Sequence, residues 1–265
     1  MIEATCIGFS RQGAEMPTPA EMTRTYHQLE SIFRQLGAKP TYFSAYDGGI
    51  GRGQFKKWDG PFHRKVLESG MSGYCSVTLA ANPTGSKEPG YDSFVTAHFG
   101  FSPGIETVNL QVVVNEPYMN CESAECESII DKLAQLWTWD YGFGFSRDAE
   151  RAPDAYLAGG GSDLQSDEDE RRVALWYESS HDFYKGVEPP RRFVMVRDIF
   201  PYNMIGPEHL THRLSDGRSL RAFIEADPDS ELRPLTASLW LWKVPQDRTE
   251  TVREKLLGKG VIIAE

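Results

Sequence analysis

Glu208, His209, Leu210, Thr211 and His212 put two histidines three residues apart. A helix carries such a pair on one side, where two imidazoles and a carboxylate could hold a divalent metal. The spacing departs from His-Glu-x-x-His, and no third ligand stands nearby in the chain. Ser179, Ser180, His181 and Asp182 bring serine, histidine and aspartate together. Members of a catalytic triad converge from separate chain positions, however, and no Gly-x-Ser-x-Gly elbow is present. Ala152-Pro153-Asp154-Ala155-Tyr156 matches the Pro-Asp start of some nuclease cores. The following strand with an acid and a lysine, which such a core needs to bind a cation and activate water, is missing. Gly48 to Gly53 is glycine-rich but lacks the order of a phosphate loop, and it reads as a turn.

The densest charge lies in SDLQSDEDERR, Ser162 to Arg172. Its acids are Asp163, Asp167, Glu168, Asp169 and Glu170, and they do not follow the register of an EF-hand loop. The expectation is an exposed loop between Arg151 and Glu170 whose five carboxylates meet a basic protein surface. No catalytic constellation stands out, so the chain reads as a binder rather than an enzyme, with no catalytic residue, cofactor or resident metal expected. Two other classes compete: an assembly protein of a phage or secretion particle, and a metal-dependent hydrolase built on His209 and His212.

The elements that must position these residues follow from periodicity. Glu3 to Ser10 reads as a strand. Thr18 to Gly37 is a helix with Thr18 as cap, Pro19 in the first turn and Glu21 closing a capping box. Its apolar residues Met22, Tyr26, Leu29, Phe33 and Leu36 recur at helical spacing. Thr41 to Asp47 reads as a strand. Three β-rich segments, at 73–81, 93–101 and 108–115, are separated by turn signals and predict an antiparallel meander. Ser123 to Trp137 is a second amphipathic helix. Trp137, Trp139, Tyr141, Phe143 and Phe145 then alternate, with the helix claiming Trp137 and the remaining rings entering the core. A helix is expected over 171–184, strands over 194–200, 238–244 and 261–264, and short helices after Pro207, around Leu220 and over 246–258. This order predicts an α+β fold. Its sheet is antiparallel or mixed with helices on one face, either one domain or two lobes at residues 1–150 and 151–265.

The 265 residues are 40% hydrophobic and 12% aromatic, enough for a substantial core. The formal net charge is −10, and both halves are acidic, with 12 Lys+Arg against 18 Asp+Glu in residues 1–150 and 16 against 20 in 151–265. Neither half therefore reads as a nucleic-acid-binding module, whereas an acidic surface attracts basic proteins. Cys6, Cys75, Cys121 and Cys126 show no Cys-x-x-Cys spacing and read as reduced thiols. No signal peptide or bilayer-spanning run is evident, so a cytoplasmic location is expected.

The last third carries a resemblance. VRDIFPYNMIGPEHL, GRSLRAFIE, SLWLWKVP and VREKLLGKGVI, together with LWTWDYGFGFS and PDAY further upstream, resemble the immunity protein 52 family of bacterial polymorphic toxin systems. The likeness spans roughly Leu133 to Ile263. It implies an α+β protein encoded beside a toxin, which it binds and neutralises. Family toxins are usually nucleases of the restriction-endonuclease type, often delivered by type VI secretion. The family offers no catalytic residues to carry over. What the resemblance adds to the acidic run is a partner: Asp163, Asp167, Glu168, Asp169 and Glu170 would face the basic cleft of a cognate toxin.

Overall fold

The computed structural model describes residues 2–48, 54–82, 94–160 and 166–263. The strands are β1 (Glu3–Arg11), β2 (Tyr42–Tyr46), β3 (Lys56–Lys57), β4 (Ser76–Ala81), β5 (Val95–Ser102), β6 (Thr107–Asn115), β7 (Tyr141–Asp148), β8 (Tyr202–Ile205), β9 (Glu231–Pro234) and β10 (Trp240–Lys243). They form one sheet in the order β3-β2-β4-β5-β6-β1-β7-β8-β10-β9, and every ladder in it is antiparallel. The meander β4-β5-β6 stands as its turn signals predict, and β1 is inserted between β6 and β7 at the centre. The sheet runs without a break from residues 1–150 into 151–265 through the β7–β8 ladder, in which Tyr141 faces Ile205 and Gly144 faces Tyr202. The α+β architecture is thus as the sequence implies.

The helices lie on both faces of the sheet, not on one. Helices α1 (Pro19–Gln35), α2 (Pro61–Glu68) and α3 (Ala124–Ala134) pack on the first face. Helices α4 (Pro153–Ala158), α5 (Asp167–Ser179), α6 (Asp182–Lys185), α7 (Arg191–Val194), α8 (Pro207–Thr211), α9 (Leu220–Ala226) and α10 (Thr249–Leu256) follow, and α4, α5, α8, α9 and α10 bury apolar residues against the second. The pleat explains the division. On β1, Ile7 and Phe9 enter the first core while Ala4 and Cys6 enter the second. On β10, Leu241 enters the first and Trp242 the second. Each large apolar side chain buried in this way contributes about 1.5–3 kcal/mol.

Helix α1 forms for local reasons. The Thr18 side chain accepts from the Glu21 N–H, and the Glu21 carboxylate accepts from the Thr18 N–H at 2.8 Å. The alternating rings divide at Asp140, whose carboxylate accepts the Gln12 N–H at 2.7 Å as the strand begins. Tyr141, Phe143 and Phe145 line the second core, while Trp137 and Trp139 pack on the first. The rings serve packing, as expected. Residues 194–200 and 261–264 are not strands within their described parts. They meet only through an isolated parallel bridge between Val196 and Ile262, because the charged pair Arg197 and Asp198 sits here and draws its partners from helices. The segment after Pro201 is strand β8, all four of whose residues are buried.

The second face is covered unevenly. Helix α4 rests on β1 and β6. Farther out, Ser76, Thr78, Thr96, His98, Asn109 and Gln111 on β4, β5 and β6 keep part of their surface open. Close approach at the centre requires glycine. A Cβ on Gly8 would lie 2.8 Å from Leu157 Cδ1 of α4. A Cβ on Gly142 would lie 2.7 Å from the Gly8 carbonyl oxygen and 2.9 Å from both Met204 Cε and Phe9 Cδ1. The Gly8 clash involves a side-chain tip that can rotate, whereas the Gly142 clash involves backbone. Gly142→Ala is therefore expected to cost about 1–3 kcal/mol in urea unfolding, and more than Gly8→Ala.

Candidate functional site

The acidic run begins a helix. Ser166 caps α5 by accepting the Asp169 N–H at 3.2 Å, and four carboxylates fill the first turn, where the helix dipole favours negative charge. The expected loop between Arg151 and Glu170 is thus replaced, within its described part, by α4 and the start of α5. Asp163 lies outside the described residues. The remaining four acids divide. Asp169 turns inward and joins Arg147 at 3.0 Å and Arg151 at 2.7 Å, with its side chain only 14% exposed. Burial opposes its ionisation, but hydrogen bonds from Arg147 and Ser166 and the arginine charges outweigh this and hold its carboxyl below the usual range. Asp167, Glu168 and Glu170 face solvent. Glu168 meets Arg172 at 2.5 Å. Arg172 also reaches the buried Asp198 at 3.2 Å, and Arg253 of α10 joins Asp198 at 2.8 Å.

Helical spacing extends the exposed acids into a stripe. Asp167, Glu170, Arg171, Ala174, Tyr177 and Glu178 are all exposed along α5, and Tyr177 is 56% exposed. Acidic groups thus lie at both ends of a helix face that presents one large aromatic. Sequence reasoning found the acids and missed Tyr177, although its spacing from Glu170 and Ala174 was readable.

Beneath the stripe lies an arginine–aromatic cluster. Trp176 turns into the second core with Arg192 stacked 3.7 Å from its ring centre and Arg197 at 5.6 Å. Arg197 is fully buried; it donates to the carbonyls of Tyr156 at 2.8 Å and Leu157 at 3.4 Å, and lies 4.3 Å from the Tyr156 ring centre. Neither Arg192 nor Arg197 forms an ion pair with a described residue. The signal for this cluster was the apolar run Phe193 to Val196 bracketed directly by Arg192 and Arg197.

The other candidate constellations do not assemble. His209 is buried, stacks on Tyr141 and accepts the Gly206 N–H through Nδ1 at 3.2 Å. His212 Nε2 instead meets the Gly260 carbonyl at 2.9 Å. No group of three or more His, Cys, Asp or Glu placed to hold a metal occurs among the described residues. Ser179 accepts from Arg192 Nε at 2.9 Å, and Asp182 forms a two-pronged pair with Arg191 at 2.8 and 2.9 Å, so the Ser179–Asp182 stretch is structural. Asp154 starts α4 on the surface. Among the described residues, no helix is long and apolar enough to cross a membrane.

No family model and no curated protein matches the chain. Among solved structures, the Pseudomonas aeruginosa T6SS protein PA0821 is similar, with a TM-score of 0.58 at 9% identity over 98% of this chain and 73% of that one. At this identity the likeness is one of fold.

Two outcomes follow. Arg197→Lys keeps the charge but loses the planar group that stacks and bonds two carbonyls at once, so a loss of about 2–3 kcal/mol is expected in chemical denaturation. His209 is held near a pKa of about 4, chiefly by burial. Its proton therefore binds the unfolded chain more tightly. The stability it contributes is intact above about pH 6.5 and is lost as pH falls toward 4. His209→Gln retains an acceptor for the Gly206 N–H and removes this titration. Its stability should change less across that window than the wild type, by on the order of 2–3 kcal/mol.

Proposed function

We propose that this chain is a type VI secretion-associated immunity protein. It binds a cognate antibacterial toxin and neutralises it by occlusion, without turnover. The toxin is a nuclease of the restriction-endonuclease type encoded by an adjacent gene, and the complex forms in the cytoplasm of the producing cell. The observation that carries this reading is the solvent face of α5, where exposed carboxylates flank an exposed tyrosine on a firmly anchored helix. A nuclease presents a basic cleft to phosphate. Carboxylates steer such a surface during encounter, while a buried aromatic holds the docked complex. The resemblance of the last third to immunity protein 52 supports the reading, as does the shared fold with a protein described as belonging to the T6SS.

Calorimetric titration with the purified, inactivated product of the adjacent gene tests it. A one-to-one isotherm with Kd on the order of nM is expected, and absence of heat with a folded partner would overturn the reading. Within the complex, changing Asp167, Glu168 and Glu170 to their amides is expected to lower the association rate about tenfold at low salt and flatten its salt dependence. Asp169 should be left unchanged, because its loss would unpair Arg147 and Arg151. Tyr177→Ala should act mainly on dissociation.

A further inference from the structure

Between the open part of the sheet and the C-terminal end of α5 lies a cavity of about 200 Å³. Asn109 and Gln111 of β6 line one side, and Trp176, Tyr177, Ser180 and Arg192 line the other. Arg192 is only 6% exposed. Its Nε donates to Ser179 Oγ at 2.9 Å, its Nη2 donates to the Trp176 carbonyl, and its guanidinium stacks on the Trp176 ring. The Nη1 amino group has no hydrogen-bond partner among the described residues, and Arg192 lines the cavity. The nearby acid, Asp182, is already held by both prongs of Arg191.

A guanidinium withdrawn from water without a counter-ion is costly, and burial together with the charge of Arg197 pushes the Arg192 pKa down to about 9. The group stays cationic at neutral pH. Fixed by Ser179 and stacked on Trp176, it is also preorganised, so little freedom is lost when an anion arrives. The flanking side-chain amides of Asn109 and Gln111 can donate to a carboxylate's remaining lone pairs, while the Ser180 hydroxyl is held by the Tyr177 carbonyl at 2.6 Å.

We propose that this cavity is a carboxylate-binding site, with Arg192 as the charge partner and Asn109, Gln111 and Ser180 as flanking polar groups. Its size suits one short carboxylic acid or the side chain of a single acidic residue. The site stands apart from the toxin-inhibitor reading and needs no toxin to test. Beside it, Tyr177 forms part of both the cavity wall and the exposed stripe, so an occupant here would touch the face through which α5 meets a protein.

The test follows the Trp176 indole N–H resonance, assigned with Trp176→Phe, during titration with glutarate, with acetyl-Gly-Glu-Gly-amide and with acetyl-Gly-Gln-Gly-amide. A saturable shift with either acid and none with the glutamine peptide is expected. Response to glutarate alone assigns the site to free acids, whereas response to the glutamate peptide alone assigns it to acidic side chains. Equal response to all three, or to none, overturns the proposal. Arg192→Met is expected to abolish the shift, but its buried position puts folding at risk. Gln111→Glu supplies a second variant on the open sheet face. It places a carboxylate of the protein's own in the cavity and should weaken binding at least tenfold. Unchanged binding by that variant would place the anion elsewhere and overturn the site.

Discussion

A cation sealed into an apolar interior can be stabilised by a carboxylate, by carbonyl dipoles or by aromatic faces. At Arg197 the protein uses the last two. The guanidinium meets the final carbonyls of α4, where the helix dipole is negative, and sits among the rings of Phe143, Tyr156 and Trp176. Its backbone N–H donates to Tyr141 Oη at 2.9 Å. One residue thus connects α4, α5, the central strand β7 and the segment that leads into β8. Even so, its Nε has no hydrogen-bond partner among the described residues, which leaves part of its desolvation cost uncompensated. The placing of α5, and of everything α5 displays, depends on that arrangement.

A second charged node fixes the same helix from its other side. Asp198 follows Arg197 directly and gathers Arg172 from α5 and Arg253 from α10. Adjacent residues of opposite charge therefore point to different partners, one to carbonyls and rings and the other to arginines. Breaking either contact leaves an uncompensated buried charge, which is more damaging than losing a surface pair. The result is a helix anchored from two sides whose outer face stays exposed.

Much of this was legible wherever the cause was local. Helix α1 carries its own cap, its proline start and an apolar stripe, and its boundaries follow from those residues. The meander β4-β5-β6 is marked by alternation and turn residues. The start of α5 carried a comparable signal, Ser166 followed by Asp169 ahead of Val173 and Trp176, but a dense run of acids reads first as a solvated loop. Other features depended on distant partners. Residues 194–200 look like a strand because they are apolar, yet Arg197 and Asp198 take their partners from Tyr156, Arg172 and Arg253, which no local window contains. His209 and His212 share a helical spacing, but the first enters the core and the second reaches Gly260. The cavity beside Arg192 brings β6 against α5 and could not be read from spacing at all.

The two outermost strands carry a consequence for the protein's company. Among the described residues, the sheet ends on one side in β3, two exposed lysines; on the other it ends in β9, four residues closing with Pro234, which has no N–H to offer. A short, positively charged border and a short, proline-closed one give a neighbouring strand little to pair with. Lateral growth of the sheet by strand addition is discouraged at both of these flanks. Backbone edges accept almost any extended chain, whereas contacts through side chains on a helical layer allow selectivity to be written residue by residue.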